Sequence, residues 1–369
     1  MARVCLLTDI AVITTAGSQW GYRVMGGRVT IDDVAAAAGV SPKTVSRVIN
    51  SEPNVRAQTQ ERVRAAIEKL NFRPDPSARS LAASRSYLIG VVYDNPSDSY
   101  LMEIISGVLD TCQAQHYQTL LCPLRFDRAD LLREVDSMLA QSRPGGLVLT
   151  PPLTDDDALL THLREQGVPF ACISPKRPEG CGVTFDEREA ARDITAHLIE
   201  LGHRRIAHVC GHIAHGASRW RLDGYRDALA GAGIAFAPEL LVQGEFSFDS
   251  GMQAARILLD LEDAPTAIFA ANDDMAAGVV RVALERGLSV PAELSVCGFD
   301  DIPIARQIFP ALSTVHQPAR EMGATAAAEL LKCMREPDQA AMRRVPYSLR
   351  LRASTGPAPK SRRAVRRLR

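Results

Sequence analysis

From Val29 to Asn50 the chain reads VTIDDVAAAAGVSPKTVSRVIN, and its apolar positions recur at helical spacing in two short bursts. Ile31, Val34, Ala35 and Ala38 make one stripe; Val45, Val48 and Ile49 make another. Thr30 stands ahead of the first burst with Asp33 three residues on, which is an N-cap with an acidic residue in the first turn. Gly39 follows the last alanine, where a left-handed residue ends a helix at little cost. Ser41 then caps a second helix, with Pro42 at the first helical position, where no backbone donor is needed. The pattern predicts two short helices joined by a tight turn. Lys43, Thr44, Ser46, Arg47 and Asn50 fall on the polar side of the second, and these side-chain types read base edges and grip phosphate in a major groove. A plain helical hairpin with a polar face would satisfy the same pattern. TQERVRAAIEKL, from Thr59 to Leu70, is a third amphipathic helix whose stripe of Val63, Ala66, Ile67 and Leu70 closes a core over the first two. Asn71-Phe72-Arg73-Pro74 ends it, since proline disfavours a helical residue before it.

From Tyr87 the pattern changes to short continuous apolar runs alternating with helical stretches. The runs are YLIGVVY (87–93), YQTLLC (117–122), GLVLTP (146–151), VPFACI (168–173), RIAHVCG (205–211), AIFAAN (267–272) and LSVCGF (294–299). Helical periodicity covers 101–116, 129–141, 190–201, 220–232, 250–261 and 275–286. Apolar strands of this kind separated by helices predict parallel sheets buried on both faces. So many units exceed one sheet and predict two similar α/β lobes side by side. Ligands of such sheets bind beyond the carboxyl ends of the strands, which here means the cleft between the lobes. Tyr93-Asp94-Asn95-Pro96, Ser174, Asn272-Asp273-Asp274 and Asp300-Asp301 stand at those ends, and Arg219 and Arg221 open a later helix. Carboxylates, amides and arginine beside aromatics suit a sugar, whose hydroxyls take bidentate partners and whose ring face takes an apolar wall. Asp and Asn at strand ends also cap helices, so each residue alone is ambiguous.

Charge sharpens the division. Lys+Arg and Asp+Glu number 43 each, so the whole chain is neutral. Residues 28–86 nevertheless carry a net +4, 360–369 carry +6 and 1–27 carry +1, which leaves −11 on 87–359. A basic head on an acidic body suits a head that binds nucleic acid and a body that does not. The eight cysteines are scattered without a CxxC, as expected of reduced thiols in the cytoplasm. The apolar run Cys5 to Val12 is broken by Asp9 and lacks the basic start and length of a signal peptide or membrane span. Met25 lies just ahead of the helix-turn-helix pattern, and translation is expected to begin there. His203, His208, His212 and His215 lie close in sequence, but their spacing fits neither one helix face nor a zinc pattern, and no metal is expected. There is no glycine-rich phosphate loop, nucleophile elbow or telling carboxylate pair, so neither an enzyme nor a bound cofactor is expected.

Thr30-Ile31-Asp32-Asp33-Val34-Ala35, Ala38-Gly39-Val40-Ser41 and Thr44-Val45-Ser46-Arg47-Val48-Ile49-Asn50 resemble the helix-turn-helix of the LacI-type (lactose-repressor) family. LIELGHRRIAHVCG, SRWRLDGYRDAL, AIFAANDDMAAGVVRVALERGLSVP and LSVCGFDDIPIA resemble that family's effector domain, itself similar to periplasmic sugar-binding proteins. The resemblance spans roughly residues 29–352. It implies a small all-α helix-turn-helix head at 28–74, a hinge at 75–86, a two-lobed α/β effector-binding and dimerisation domain with parallel sheets at 87–352, and a basic tail at 353–369. Residues 1–27 match nothing in the family. The implied DNA contacts are Thr30, Ser41, Pro42, Lys43, Thr44, Ser46, Arg47 and Asn50. Residues 75–84, which composition alone would make a linker, resemble the family's hinge helix. Leu81 is there the minor-groove wedge, with Ala78 on its face and Arg79 along the groove or a phosphate. The implied effector residues are Arg221, Phe246, Asn272 and Asp300, joined by Tyr100 and by Ser174, which stands where an aspartate is common. The stretch after Asn95-Pro96 is longer than the family pattern.

The whole is expected to be a cytoplasmic, nucleoid-associated repressor. Its partners are double-stranded operator DNA, a second copy of itself and a small effector, with no membrane. The effector is an inducing sugar or sugar derivative in the first reading and a purine-like corepressor in the second. The tail, rich in Pro, Ser and Arg, is expected to be disordered, and without leucine heptads it predicts a dimer rather than a tetramer. A sugar-binding protein with no regulatory role and a sugar enzyme are the rival classes.

Overall fold

The structure, a computed structural model, describes residues 29–49, 55–72 and 86–360. The chain forms two compact units that divide at Ala83 and Ser84.

The first unit holds three helices, α1 (Ile31–Ala38), α2 (Pro42–Ile49) and α3 (Ala57–Leu70). Thr30 and Asp33 form a reciprocal capping box: the backbone N–H of Thr30 donates to Asp33 Oδ2 at 2.8 Å, and Asp33 N–H donates to Thr30 Oγ1 at 3.3 Å. Gly39 ends α1 with φ +62°. Arg62 of α3 reaches back to donate to the carbonyls of Ala38 and Gly39, which ties α3 to the turn. Val34, Val45 and Val63 are fully buried at the centre, with Ala35, Ala38, Val48 and Ala66 around them. Phe72 closes this core from the stretch that the sequence reading treats only as a terminator.

The second unit contains two six-stranded sheets. The first holds β1 (Leu88–Tyr93), β2 (Gln118–Pro123), β3 (Gly146–Leu149), β4 (Phe170–Ile173), β5 (Gly182–Thr184) and β11 (Met342–Arg344). Its order is β11-β5-β4-β3-β1-β2, parallel throughout. The second holds β6 (Ile206–Cys210), β7 (Leu241–Gln243), β8 (Ala267–Ala270), β9 (Ser295–Asp300), β10 (Ser313–His316) and β12 (Ser348–Arg350). Its order is β12-β10-β9-β8-β6-β7, with only β12 antiparallel. The helices are α4 (Asp98–Ala114), α5 (Leu131–Ser142), α6 (Asp157–Glu165), α7 (Glu187–Glu200), α8 (Gly216–Gly231), α9 (Phe248–Leu259), α10 (Asp273–Glu285), α11 (Ile304–Gln307) and α12 (Ala319–Cys333).

α12 packs on α4 and on β3, β4 and β5, whereas α7 packs on α8, β10 and β12. The chain therefore passes between lobes three times, after β5, after β10 and after β11. Gly107 and Gly323 let α4 and α12 touch backbone to backbone: a Cβ on Gly107 would lie 1.9 Å from the Arg320 carbonyl oxygen, and one on Gly323 would lie 2.1 Å from that of Ile104. Central strands such as β3, β6 and β8 are buried along their whole length, in keeping with their continuous apolar runs.

Two expectations need correction. The parallel-sheet reading holds except at β12. The expected disordered tail does not begin at 353. Ser354 is fully buried; it accepts from Ser313 N–H at 2.8 Å, donates to the Val296 carbonyl at 2.6 Å, and its own carbonyl accepts from Val296 N–H at 2.9 Å. Gly356 bonds to Ser295, and Ala358 N–H donates to the Leu201 carbonyl at 2.8 Å. These ladder-like bonds satisfy a backbone whose composition alone suggests a solvated tail. Among the described residues no helix is long and apolar enough to cross a membrane.

Candidate functional site

In the first unit, α2 turns Val45 and Val48 inward. Ser41 starts the helix by accepting from Thr44 N–H at 3.2 Å, with the two hydroxyls 2.9 Å apart. Pro42, Lys43 and Arg47 are exposed, and Thr44 and Ser46 are half-buried beside them. Thr30, at the cap of α1, is also exposed. The polar side predicted for the second helix is thus an accessible surface carrying two cations and short hydroxyls. Asn50, Ala78, Arg79 and Leu81 lie outside the described residues.

In the second unit, the strand ends of both lobes meet around Arg221 of α8, which is 4% exposed. Its Nε donates to Glu187 Oε2 at 2.9 Å, and its Nη1 donates to Asp300 Oδ1 at 3.3 Å and to the Ala271 carbonyl. Its guanidinium lies 3.7 Å above the centre of the Phe299 ring, a cation–π contact in a dry setting. Gln317 Nε2 donates to the same Asp300 oxygen at 2.6 Å. Phe246 and His215 meet edge to face at 5.1 Å and wall the other side. Gly211 makes room for the Phe246 ring, since a Cβ there would stand 1.9 Å from it. Ser174, Phe246, Asp300 and Asp301 all have positive φ, of 44°, 58°, 106° and 57°. Left-handed backbone at four non-glycine strand-end positions is strain of the kind that collects at binding sites.

Burial sets the electrostatics. It pushes the Asp300 carboxyl up to about 7, with Arg221 pulling down and Glu187 pushing further up. Burial also raises Glu187, which Arg221 opposes. The Tyr100 phenol goes up through burial and through the charges of Glu187 and Asp300. Burial works against the charge of Arg221, but the two carboxylates outweigh it and its pKa rises. One cation faces two acids, so near neutral pH the cluster shares a proton. His215 is held neutral, down to about 3, by burial and by the nearby His212 and Arg221.

The space enclosed is about 30 Å³, room for roughly a water molecule. Contacts across the lobes shut it. Ser97 Oγ of the first lobe donates to Asp274 Oδ2 of the second at 2.7 Å. Asp155 Oδ2 accepts from the N–H of Gly216, the first residue of α8, at 2.7 Å. Phe126 meets the rings of His212 and His215 edge-on.

Of the residues named from sequence, Tyr100, Arg221, Phe246, Asn272 and Asp300 line this cleft. Asn272 has both ends of its amide engaged: Oδ1 caps α10 by accepting from Met275 N–H at 3.0 Å, and Nδ2 donates to the Phe246 carbonyl at 2.9 Å. Ser174 sits behind the cavity, beside Glu187. Arg219 turns away to pair with Asp223. Glu187, Gln317 and Ser97 are cleft residues that the sequence reading does not single out. Glu187 follows β5, a three-residue strand too short for an apolar-run signal, and Gln317 follows β10, whose Ser-Thr-Val-His sequence carries no such run. The histidines hold structure: His203 bonds to Thr266, Ser295 and the Gly356 carbonyl, and His208 stacks between Tyr225 and Phe269.

Residues 30–75 match the sequence family described as bacterial regulatory proteins, lacI family, and residues 195–355 match a periplasmic binding protein-like domain. The chain is 33% identical over 331 residues to catabolite control protein A of Priestia megaterium, covering 89% of this chain and 99% of that protein. It is 35% identical over 315 residues to the HTH-type transcriptional repressor PurR of Vibrio atlanticus (strain LGP32), covering 84% and 93%. Among solved structures it resembles a complex of the transcriptional regulator CelR with cellobiose, with 32% identity, a TM-score of 0.68 and coverage of 89% of this chain and 100% of that one. It also resembles the lac repressor dimer bound to operator and the anti-inducer ONPF, with 31% identity, a TM-score of 0.76 and the same coverage.

Proposed function

The chain belongs to the lacI family of bacterial regulatory proteins and is a DNA-binding transcriptional regulator rather than an enzyme, and from that premise we propose that it is a dimeric repressor at the nucleoid whose operator grip is set by a sugar or sugar derivative bound between the lobes. The observation that carries the effector reading is the cluster of Arg221, Glu187 and Asp300 under the Phe246 ring. Paired donors and acceptors in fixed geometry suit vicinal hydroxyls, and the ring suits a sugar face. The cation is already balanced by two acids, which disfavours a ligand that is only an anion. A space of about 30 Å³ cannot hold a sugar ring, so the lobes part to admit one. Effector and operator then favour different arrangements of the lobes, and this difference in affinity is the switch. A purine-like corepressor is the second reading, supported by the flat walls of Tyr100 and Phe246.

In the head, Lys43, Thr44, Ser46 and Arg47, with Asn50 beyond them, are assigned to the major groove. Thr30, Ser41 and Pro42 are assigned to the phosphates near the helix starts. Ala78, Arg79 and Leu81 are assigned to the minor groove, with Leu81 as the wedge between base steps. The test is fluorescence anisotropy on DNA from upstream of the protein's own gene, titrated with sugars and purine bases. Arg47→Ala should cost roughly 1–3 kcal/mol of specific binding if it contacts a base. Leu81→Ala should weaken specific binding far more than nonspecific binding. Full operator affinity in Arg47→Ala would remove it from the groove, and an equal loss of both kinds of binding in Leu81→Ala would end the wedge assignment.

A further inference from the structure

A second cavity lies in the first lobe between α6, β4 and the loop at 175–180, and at about 400 Å³ it is far larger than the cleft. That volume is within the range of small-molecule sites, roughly 300–1,000 Å³. Leu160, Phe170 and Cys172 give it an apolar floor, and Arg164, Lys176 and Arg177 stand around it. The Arg164 guanidinium sits 5.6 Å above the Phe170 ring. Among the described residues neither Arg164 nor Lys176 forms an ion pair, whereas Arg177 faces Asp157 at 3.5 Å. Cys172 cannot neutralise Arg164, because burial pushes its thiol up to about 12. Asp155 adds a carboxylate, but its oxygens are taken by the N–H groups of Lys176, at 2.6 Å, and Gly216, at 2.7 Å. Glu179 is exposed at the loop. Thr154, only 2% exposed, lines the cavity, and its hydroxyl has no partner. A buried hydroxyl left unpaired is a cost that a ligand acceptor would remove.

We propose that this cavity is a second ligand site, for a small molecule that joins an oxyanion, carboxylate or phosphate ester, to an apolar body, and that its occupancy is coupled to the effector cleft through Asp155. The oxyanion meets Arg164 and Lys176, whose charges are free to pair. The apolar body lies on Phe170, Leu160 and Cys172, and the Thr154 hydroxyl donates to the ligand. Thr154 adjoins Asp155, which holds the first N–H of α8, and α8 carries Arg221. A ligand that fixes the 154–155 turn therefore biases the lobe contact at Gly216, and cleft and cavity affect each other's affinity reciprocally. The binding half of the proposal stands without the sugar reading of the cleft.

The test is calorimetry on the full-length protein with phenyl phosphate and benzoate as probes and benzyl alcohol as the neutral control. At least one of the two anions should bind saturably, one per chain, and their ranking separates phosphate esters from carboxylates as the natural class. Benzyl alcohol should bind at least tenfold more weakly. Arg164→Gln and Lys176→Gln alter exposed side chains, so they should keep the melting temperature and operator binding yet lose at least tenfold in probe affinity. Thr154→Val should weaken the probe as well. Phe246→Ala, in the cleft, should leave probe binding unchanged. Saturation with the probe should slow hydrogen exchange at the Gly216 amide. The site is overturned if neither anion saturates, if benzyl alcohol binds equally, or if Phe246→Ala abolishes binding that Arg164→Gln keeps. The coupling is overturned if a saturated site leaves Gly216 exchange unchanged.

Discussion

Asp300 joins three properties that pull against each other: backbone in the left-handed region, nearly complete burial, and a carboxylate oxygen shared by Arg221 and Gln317. Its pKa of about 7, against an ordinary 3.8, means that the folded protein holds a proton the unfolded chain releases between those values. The stability this contributes is full below the ordinary carboxylate pKa and is lost as pH rises through about 7. His208 and His215 act with the opposite sign. Burial holds both neutral, down to about 3, so their contribution is present above the ordinary histidine pKa of 6.5 and is lost as pH falls. A single melting curve against pH mixes these effects, whereas a difference separates them. Asp300→Asn keeps the shape and removes the titration. The wild-type melting temperature should therefore decline relative to the variant between about pH 4 and pH 7 and level off above that, and parallel curves would show that Asp300 does not titrate in this window. The same variant should bind operator normally and fail to respond to the effector. A normal response would take Asp300 out of the ligand's reach.

Elements set how closely the site's parts approach, and glycines mark where backbone meets backbone. At the crossing of α4 and α12, Gly107→Ala would set its methyl carbon 1.9 Å from the Arg320 carbonyl, with no flexible side chain to move aside. The helices must separate, at about 1–3 kcal/mol for overpacking of this kind. Gly167→Ala is a useful contrast, because its φ is +65° but nothing lies within 4 Å, so it carries only backbone strain. Urea unfolding should show the larger midpoint drop for Gly107→Ala, and equal drops would mean that the crossing tolerates the methyl. α12 also shows where sequence reading stops. The long buried strands and most helices are legible because continuous apolar runs and helical periodicity are strong signals. β5, Gly182–Thr184, is too short to carry one, and β10 is Ser-Thr-Val-His, whose buried Ser313 and Thr314 hydroxyls donate to the Arg352 carbonyl and to Asp273 Oδ1. The ends of those strands supply Glu187 and Gln317, so the cluster around Arg221 was legible as Arg221 and Asp300 without the residues that complete it. Residues 354–358 depart from their composition for a related reason: composition describes a segment alone, whereas the bonds of Ser354 are made with β9 and β10.

At the scale of the whole effector unit, three chain crossings hold the lobes together while few polar contacts close the cleft. Two stand out because each joins a helix start of the second lobe to the first lobe: Ser97 with Asp274 of α10, and Asp155 with the N–H of Gly216 at the head of α8. A carboxylate at a helix start gains from the unpaired N–H groups and the dipole there. A hydrogen bond to a charged group contributes about 1.5–3 kcal/mol, but Asp155 is partly exposed and burial already raises its pKa, so the lower end applies. Removing it should shift the balance between shut and parted lobes about tenfold, since 1.4 kcal/mol corresponds to a factor of ten. Asp155→Ala should therefore speed hydrogen exchange at Gly216 and the first turn of α8 by about tenfold. It should leave amides of the central strands β3 and β8 unchanged, because those lie inside single lobes. Adding Ser97→Ala should enlarge the effect, since the second contact closes the same cleft from another edge. If exchange at α8 stays at the wild-type rate in the double variant, the lobes are kept together by the crossings alone, and the ligand would have no polar latch to open.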